Sequence, residues 1–509
     1  MADLPIGQAQ GRFSNRSCAP GPSFPAHTGR LPAVGLDRGS RGGIPARLAP
    51  VPVNLVRVAT HFMLPSRIRT TTVAPQLIVA LVVAALWAET AAADDHAPRF
   101  QSSAADTTLQ APAADQAGLA TMPGSVEAAL MHSAEVQSAM ADLATAGVEI
   151  RIARSGRYPT LQSSVGTGGV DSYDGQVTLS QPLFDWGLTS ARTGQARAQQ
   201  KAAIASLAVA REKTAYDAAI AFIGLRRASE LAAAAEDNVT AHQRIAELAG
   251  IRTRGGVGDA TEAGLASVRL GEAQSSLEDA RGGQRSARNV YMTRTGAEPP
   301  GGLADVPAIR MLLGGAADID AAAGEAPAVQ VARAREQTAL EAAKAERASL
   351  FPRLDAEAYV RSYDTARTID KGVGIRLTGP TFTGFSNFER VKSARFQAES
   401  ARWQAETARR DATLRVRELI DRTPTLEEQL TILATQLDEA RVLSNLYELQ
   451  FKLGRRSLVD FLNIQADIFR IARTLVNTRY DLFQLQYAAA EGLGRLETSL
   501  GLPGMGDPL

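Results

Sequence analysis

The stretch Arg157-Tyr158-Pro159-Thr160-Leu161 returns 193 residues later as Leu350-Phe351-Pro352-Arg353-Leu354. Both copies follow a helical pattern, and both set an aromatic residue ahead of a proline. Gln181-Pro182-Leu183-Phe184-Asp185-Trp186-Gly187 is likewise echoed by Gly379-Pro380-Thr381-Phe382-Thr383-Gly384. Gly256 and Glu262 reappear as Gly454 and Asp460, both 198 positions on. The chain is therefore duplicated. Each half reads helix, aromatic-Pro, strand, strand-Pro-x-Phe, long helix, glycine-containing turn, second helix.

The strands are short and strictly alternating. Leu161, Ser163 and Val165 alternate with Gln162 and Ser164, and Val177 and Leu179 with Thr178 and Ser180. In the second half Leu354, Ala356, Ala358 and Val360 alternate with Asp355, Glu357, Tyr359 and Arg361. Val373, Ile375 and Leu377 alternate with Gly374, Arg376 and Thr378. Period-2 patterning suits a barrel wall with lipid outside and water inside, and it equally suits a hairpin packed on helices. Pro159, Pro182, Pro352 and Pro380 mark the strand–helix junctions, because proline ends ladder pairing and pre-sets a bend.

The helices are long. No proline interrupts Thr189 to about Ala249, and the second copy runs clean from Phe385 to Thr423, where Pro424 breaks it before helix resumes to Lys452. Sixty helical residues reach roughly 90 Å. In the last helix Phe469, Ala472, Val476, Tyr480, Phe483 and Tyr487 form one apolar stripe. Ile464, Ile468, Ile471, Leu475, Leu482 and Leu485 form a second, about 130° around the helix. Two seams imply two helical neighbours, as in a barrel of helices or an ordinary bundle.

Residues 1–62, rich in Pro, Gly, Ser and Arg, show no period and read as a disordered leader or a mis-assigned start. Residues 63–93 read as a secretory signal peptide. They hold Met63, the basic Arg67 and Arg69, the apolar run Leu77–Trp87 and the small Ala91-Ala92-Ala93. A membrane anchor is the competing reading, but that run is too short to span a bilayer. The mature chain is expected to begin at or near Asp94. Segment 94–124 then reads as a flexible N-terminus, 125–310 as the first repeat, and 311–509 as the second repeat with a C-terminal tail.

Removing 1–93 leaves 46 basic and 51 acidic residues, a net charge of about −5, and takes away Cys18, the only cysteine. Such a chain forms no disulfide, and its charge draws no nucleic acid. No apolar run of eighteen residues remains, so any crossing of a membrane falls to the strands. Catalytic signatures are missing too. His96, His132 and His242 lie far apart, and there is neither His-Glu-x-x-His nor Gly-x-x-x-x-Gly-Lys. Gly255-Gly256-Val257-Gly258 follows a helix rather than a strand, which makes it a turn and not a nucleotide loop. The many carboxylates fall on helical faces and read as solvated surface. No cofactor, metal or enzymatic activity is expected.

Phe451-Lys-Leu-Gly454-Arg-Arg456-Ser-Leu-Val-Asp460-Phe-Leu-Asn463-Ile-Gln-Ala resembles the signature of TolC-type outer-membrane channels, as does Ala472-Arg473-Thr474-Leu475-Val476-Asn477-Thr478-Arg479-Tyr480-Asp481. The resemblance covers about Ser125 to Leu502. It implies a mainly α fold with a small β part. Three copies would build a periplasmic α-barrel tunnel and a twelve-stranded outer-membrane β-barrel, four strands per chain. It also implies a homotrimer embedded in outer-membrane lipid of a Gram-negative bacterium and extending into the periplasm. A periplasmic adaptor (membrane fusion) protein and an inner-membrane ABC transporter or proton-driven pump would dock at the helical tips.

At those tips the family closes its entrance with an arginine-centred network and a ring of carboxylates. By resemblance Arg456 matches the network arginine and Asp460 the first ring aspartate, while Thr261 and Glu262 match the partners in the first repeat. Phe451 replaces a familiar tyrosine, and Asn463 stands where a second aspartate would sit. Gly256, Gly258 and Gly454 mark the tip turns. The competing reading is that Arg456 and Asp460 merely solubilise a turn. The run Gly454–Asp460 looks closest to channels of type I (ABC-transporter-driven) protein secretion. The alternatives are a multidrug or metal efflux channel and, in a different class, a periplasmic helical scaffold without a pore.

Overall fold

A computed structural model of the chain describes residues 116–169, 172–309, 316–363, 368–381 and 384–502. The leader and the signal-peptide reading lie outside the described residues. Helices α1 (Gln116–Leu119) and α2 (Met122–His132) lead into α3 (Ala134–Ser155). Leu119 and Met122 are buried, so ordered structure already begins within the segment that reads as a flexible N-terminus. Strands β1 (Thr160–Gly169) and β2 (Ser172–Phe184) follow, then α4 (Leu188–Arg254) and α5 (Ala260–Thr295). The second half supplies α6 (Ala316–Gly324), α7 (Pro327–Ala348), β3 (Arg353–Tyr363), β4 (Thr368–Thr378), α8 (Ser386–Lys452) and α9 (Leu458–Gly492). The short α10 (Leu496–Ser499) closes the described chain. The fold is mostly helical with one small antiparallel sheet.

The four strands pair in the order β1-β2-β3-β4, all antiparallel, so β2 and β3 join the two repeats. Register places Leu161, Leu179, Ala358 and Val373 in one row. That face is apolar yet open: Val373 is 87% exposed and Ile375 72%. On the other face Arg361 donates to Gln176 Oε1 at 2.8 Å, and Arg376 Nε donates to Glu357 at 2.6 Å. Among the described residues the outer edges of β1 and β4 have no strand partner.

Pro159 and Pro352 immediately precede β1 and β3, and Pro380 lies just beyond β4, as the junction reading requires. Pro182 does not. It sits inside β2, opposite Asp355, with an irregularity between it and Phe184. The β1 ladder has already ended at the Thr160–Ser180 pair. From there β2 is bonded on one side only, and a missing N–H on the free side costs nothing. The junction falls instead at Asp185-Trp186-Gly187. Asp185 accepts the Gly187 and Thr189 N–H groups at 3.0 and 2.7 Å, capping α4.

Helices α4 and α8 each run 67 residues, roughly 100 Å. Neither has a neighbour of its own length. Beneath the sheet α4 packs on α3 and α7, and α8 on α7; beyond them α5 and α9 take over. The expected break at Pro424 does not occur, because α8 passes through it. The ring removes one N–H bond to the Ile420 carbonyl, but Ile420 packs against the cluster that includes Ala323, Val416 and Leu493, which supports the turn that lost it. Thr423 Oγ1 donates to the neighbouring Leu419 carbonyl at 3.3 Å.

The two stripes of α9 meet different partners. Tyr480 and Tyr487, with Val476 and Phe483 beside them, pack on Phe222 and Ile223 of α4. Ile464 and Ile471 pack with Leu437 and Ala440 of α8. Each buried phenol is satisfied: Tyr480 donates to Glu230 at 2.7 Å and Tyr487 to the Pro307 carbonyl at 3.0 Å.

Not every carboxylate is solvated. Glu212 and Glu497 are buried where α10 docks on the middle of α4. Arg211 grips Glu497 with two bonds, Nε at 3.0 Å and Nη2 at 2.6 Å, and the Leu496 N–H donates to Glu212 at 3.1 Å. Burial pushes the Glu212 carboxyl up to about 7, the Leu496 N–H opposes that, and the nearby Glu497 and Glu491 charges add to it. Because the folded value lies above the unfolded one, the stabilisation is fully present below about pH 4.5 and is lost as pH rises through about 7. Hydrogen exchange at the amides of 496–502, corrected for intrinsic rates, should therefore lose protection between pH 5.5 and 8. Glu212→Gln should flatten that slope, and an unchanged slope would place the titrating group elsewhere.

Candidate functional site

Both long helices end in glycine turns that lie side by side. Gly255 caps α4, Gly256 takes φ 71°, and Asp259 starts α5 by accepting the Thr261 N–H at 3.3 Å and the Thr261 hydroxyl at 3.1 Å. Gly454, at φ 70°, ends α8, and Ser457 starts α9 by accepting the Asp460 N–H at 3.1 Å. Left-handed backbone at Gly256 and Gly454 explains why glycine stands there. Gly258 is required by space instead: a Cβ would lie 3.1 Å from both the Arg252 stem and Glu262 Oε2.

One cation joins the two turns, and the sequence did not single it out. Arg252 Nη1 donates to the Phe451 carbonyl at 2.6 Å, across 199 residues. Its guanidinium lies 4.6 Å over the Phe451 ring, and its Nε is 4.0 Å from Glu262 Oε2. Phe451 is fully buried and leans on Phe461, 6.0 Å between centroids. A phenylalanine suits this place because the ring is covered on one side by a cation and on the other by apolar core. Its edge needs no hydroxyl partner.

The residues matched to the family gate are only partly brought together within one chain. Arg456 lies 3.9 Å over the Tyr447 ring and 3.7 Å from Asp460, a contact too long for a hydrogen bond. Among the described residues Arg456 bonds neither Thr261 nor Glu262; the cation facing Glu262 is Arg252. Thr261 and Asn463 are exposed, and Asp460 is half-buried. Three polar atoms at the tips, Arg252 Nε, Arg456 Nε and Glu262 Oε2, are buried with no hydrogen-bond partner among the described residues, and the first and last of them face each other at 4.0 Å. Among the described residues no group of three or more His, Cys, Asp or Glu could hold a metal ion.

A family model described as "Outer membrane efflux protein" matches residues 126–296 and 319–495, one segment for each repeat. The chain belongs to that family. Membership places the protein in the outer membrane, extending into the periplasm, as a TolC-type channel protein. Outer membrane efflux protein BepC of Brucella suis biovar 1 is 25% identical over 403 residues, 75% of this chain and 87% of that protein. Among solved structures, the outer membrane protein VceC of Vibrio cholerae superposes with a TM-score of 0.65 at 17% identity, covering 73% of this chain and 96% of that one. The MtrE outer membrane channel of Neisseria gonorrhoeae, solved in its open state, gives 0.62 at 19% identity over 75% and 89%. Similarity at that identity establishes the shared fold. Among the described residues no helix is long and apolar enough to cross a membrane.

The Arg252 contacts should be measurable in isolation. A charged hydrogen bond to a carbonyl and a half-buried cation–π contact together contribute about 2 kcal/mol. Arg252→Ala should speed hydrogen exchange at the amides of Gly454 and Arg455 by roughly 10- to 100-fold, while amides of the sheet stay unchanged. Unaltered exchange at the turn would mean that the tips are held by the Phe451–Phe461 packing alone.

Proposed function

We propose that the protein is the trimeric outer-membrane exit duct of a tripartite efflux system, passive and catalysing no reaction. The observation that carries this is the four-stranded sheet with an exposed apolar face and two open edges. In lipid each unpaired backbone group costs several kcal/mol, and four strands are too few to close a barrel on their own. Three copies supply twelve. The helices, roughly 100 Å long, then form the periplasmic tunnel, and the paired tips meet a periplasmic adaptor and an inner-membrane pump.

Efflux of small molecules is favoured over protein secretion by the relatives. The curated protein matched over most of its length is named an efflux protein, and the family model carries the same word. Type I secretion, with an ABC transporter as the pump, is the second reading and rests on the Gly454–Asp460 run. At the entrance Arg456, bonding Glu262 or Thr261, forms the lock between neighbouring copies, a reading supported by their equivalent turns in the two repeats. Asp460 and Asn463 contribute to the ring at the constriction.

Deleting the gene in its own host should raise the accumulation of a lipophilic dye several-fold, and re-expression of the chain should reverse it. Unchanged dye accumulation together with loss of a large secreted protein from the medium would overturn efflux in favour of secretion.

A further inference from the structure

Where α3 meets α4, just below the sheet, three arginines surround a small pocket. Arg154 and Arg157 come from the end of α3 and its turn, and Arg197 from α4. Tyr158, Ser190 and Thr193 complete the lining of a cavity of about 200 Å³. That volume is below the roughly 300–1,000 Å³ of sites for drug-sized ligands, but it accommodates a single phosphate group.

The charge in the pocket is unanswered. None of the three arginines has an ion pair or side-chain hydrogen bond among the described residues, whereas most arginines along α4 and α8 have one. The carboxylate whose titration feels Arg157 is Asp185, and both its oxygens are already used in capping α4. Thr193 turns its hydroxyl back to the Thr189 carbonyl at 2.8 Å. Ser190, in the first turn of α4, keeps its hydroxyl free and sits at the positive end of a 67-residue helix. Everything facing the pocket favours an anion.

Its height in the fold says which anion. Arg157 directly precedes Tyr158 and the first strand. Tyr158, Phe184, Trp186 and Phe351 ring the same border, and all are exposed. Trp186 stacks on Phe351 at 4.9 Å, meets Phe184 at 4.9 Å and donates its indole N–H to the Pro352 carbonyl at 2.8 Å. Exposed aromatics of this kind collect at the boundary between hydrocarbon and water. The pocket begins at Arg157, within one helical turn of that ring, and reaches to Arg197, nine residues or roughly 13 Å into α4 on the periplasmic side. This is where lipid phosphates lie.

We infer that Arg154, Arg157 and Arg197 form a binding site for the phosphate of an anionic phospholipid in the periplasmic leaflet. The inference rests on the reading that the sheet crosses the membrane. Guanidinium groups suit it because they bond phosphate oxygens two at a time and lose little hydration in doing so. One lipid per subunit would dock its headgroup in the pocket and lay its chains along the aromatic ring and the apolar face of β1 and β2.

The test uses the membrane-extracted protein, stripped of lipid in detergent and titrated with phosphatidylglycerol, phosphatidylcholine or glycerol phosphate. Bound lipids are counted by native mass spectrometry. Phosphatidylglycerol should bind at one per subunit, at least about tenfold more tightly than phosphatidylcholine, and glycerol phosphate should not displace it at equal concentration. Replacing Arg154, Arg157 and Arg197 by Gln should remove the preference, and replacing them by Lys should keep part of it. If glycerol phosphate competes equally, the site takes a free anion and the lipid assignment fails. Wild-type binding retained in the Gln variant overturns the site outright. Should the triple variant not assemble, Arg197→Gln alone, on the surface of α4, must still weaken binding or the inference fails. Flotation of the wild type with membranes separates these outcomes from failure of the parent reading, since a chain that does not float sinks both.

Discussion

The free backbone edges of β1 and β4 constrain everything else in this protein. The four-stranded antiparallel sheet has two rows of N–H and C=O groups that pair with no strand among the described residues. In water such edges are a route to aggregation, and in lipid they are untenable. The sheet also turns Val373, Ile375 and Leu377 outward on a face that no helix covers. Edge and face together leave the single chain incomplete, and the proposed trimer in lipid completes both. The helical half follows from the same requirement. In the proposed ring each strand pair is delivered by helices of matching reach, and α4 and α8 both run 67 residues.

Two interactions keep the repeats in step at opposite ends of those helices. At the sheet, Trp186 is held at φ 56°, a conformation that costs a non-glycine residue about 1–2 kcal/mol. Its ring contacts with Phe184 and Phe351 and its bond to the Pro352 carbonyl offset that cost and tie the first repeat to the second. At the tips, Arg252 does the corresponding work by bonding the last turn of α8 from the last turn of α4. Between them, α10 is fastened to α4 through Arg211, Glu212 and Glu497, which gives the middle of the molecule a contact that weakens as pH rises.

What the sequence disclosed and what it withheld divide along the range of the interactions. The duplication, the four alternating strands, the glycine turns at Gly256 and Gly454 and the two stripes of α9 all depend on residues close together in the chain, and the structure has each of them. Pro182 and Pro424 were misleading because the cost of a proline depends on whether the bond it removes was needed, and neighbours decide that. Glu212 and Glu497, 285 positions apart, look like any other helical carboxylates until α10 folds back on α4. Arg252 is hidden for the same reason: only the packing of the two tips puts its guanidinium beside Phe451. The arginine pocket was equally hidden, since Arg157 and Arg197 meet through the antiparallel arrangement of α3 and α4.

In the proposed trimer β1 of one chain continues the sheet at another chain's β4. Cys18 is the only cysteine in the sequence, so introduced cysteines report cleanly once it is replaced. Ser163→Cys in β1 can be combined in turn with Lys371→Cys, Val373→Cys or Ile375→Cys, residues on the same face of β4. Membranes carrying each pair would be treated with a flexible bis-maleimide and run on denaturing gels. At least one pair should give covalent dimers and closed trimers while the corresponding single variants stop at monomer. A series that yields only monomers, from protein that still fractionates with the outer membrane, would contradict the account.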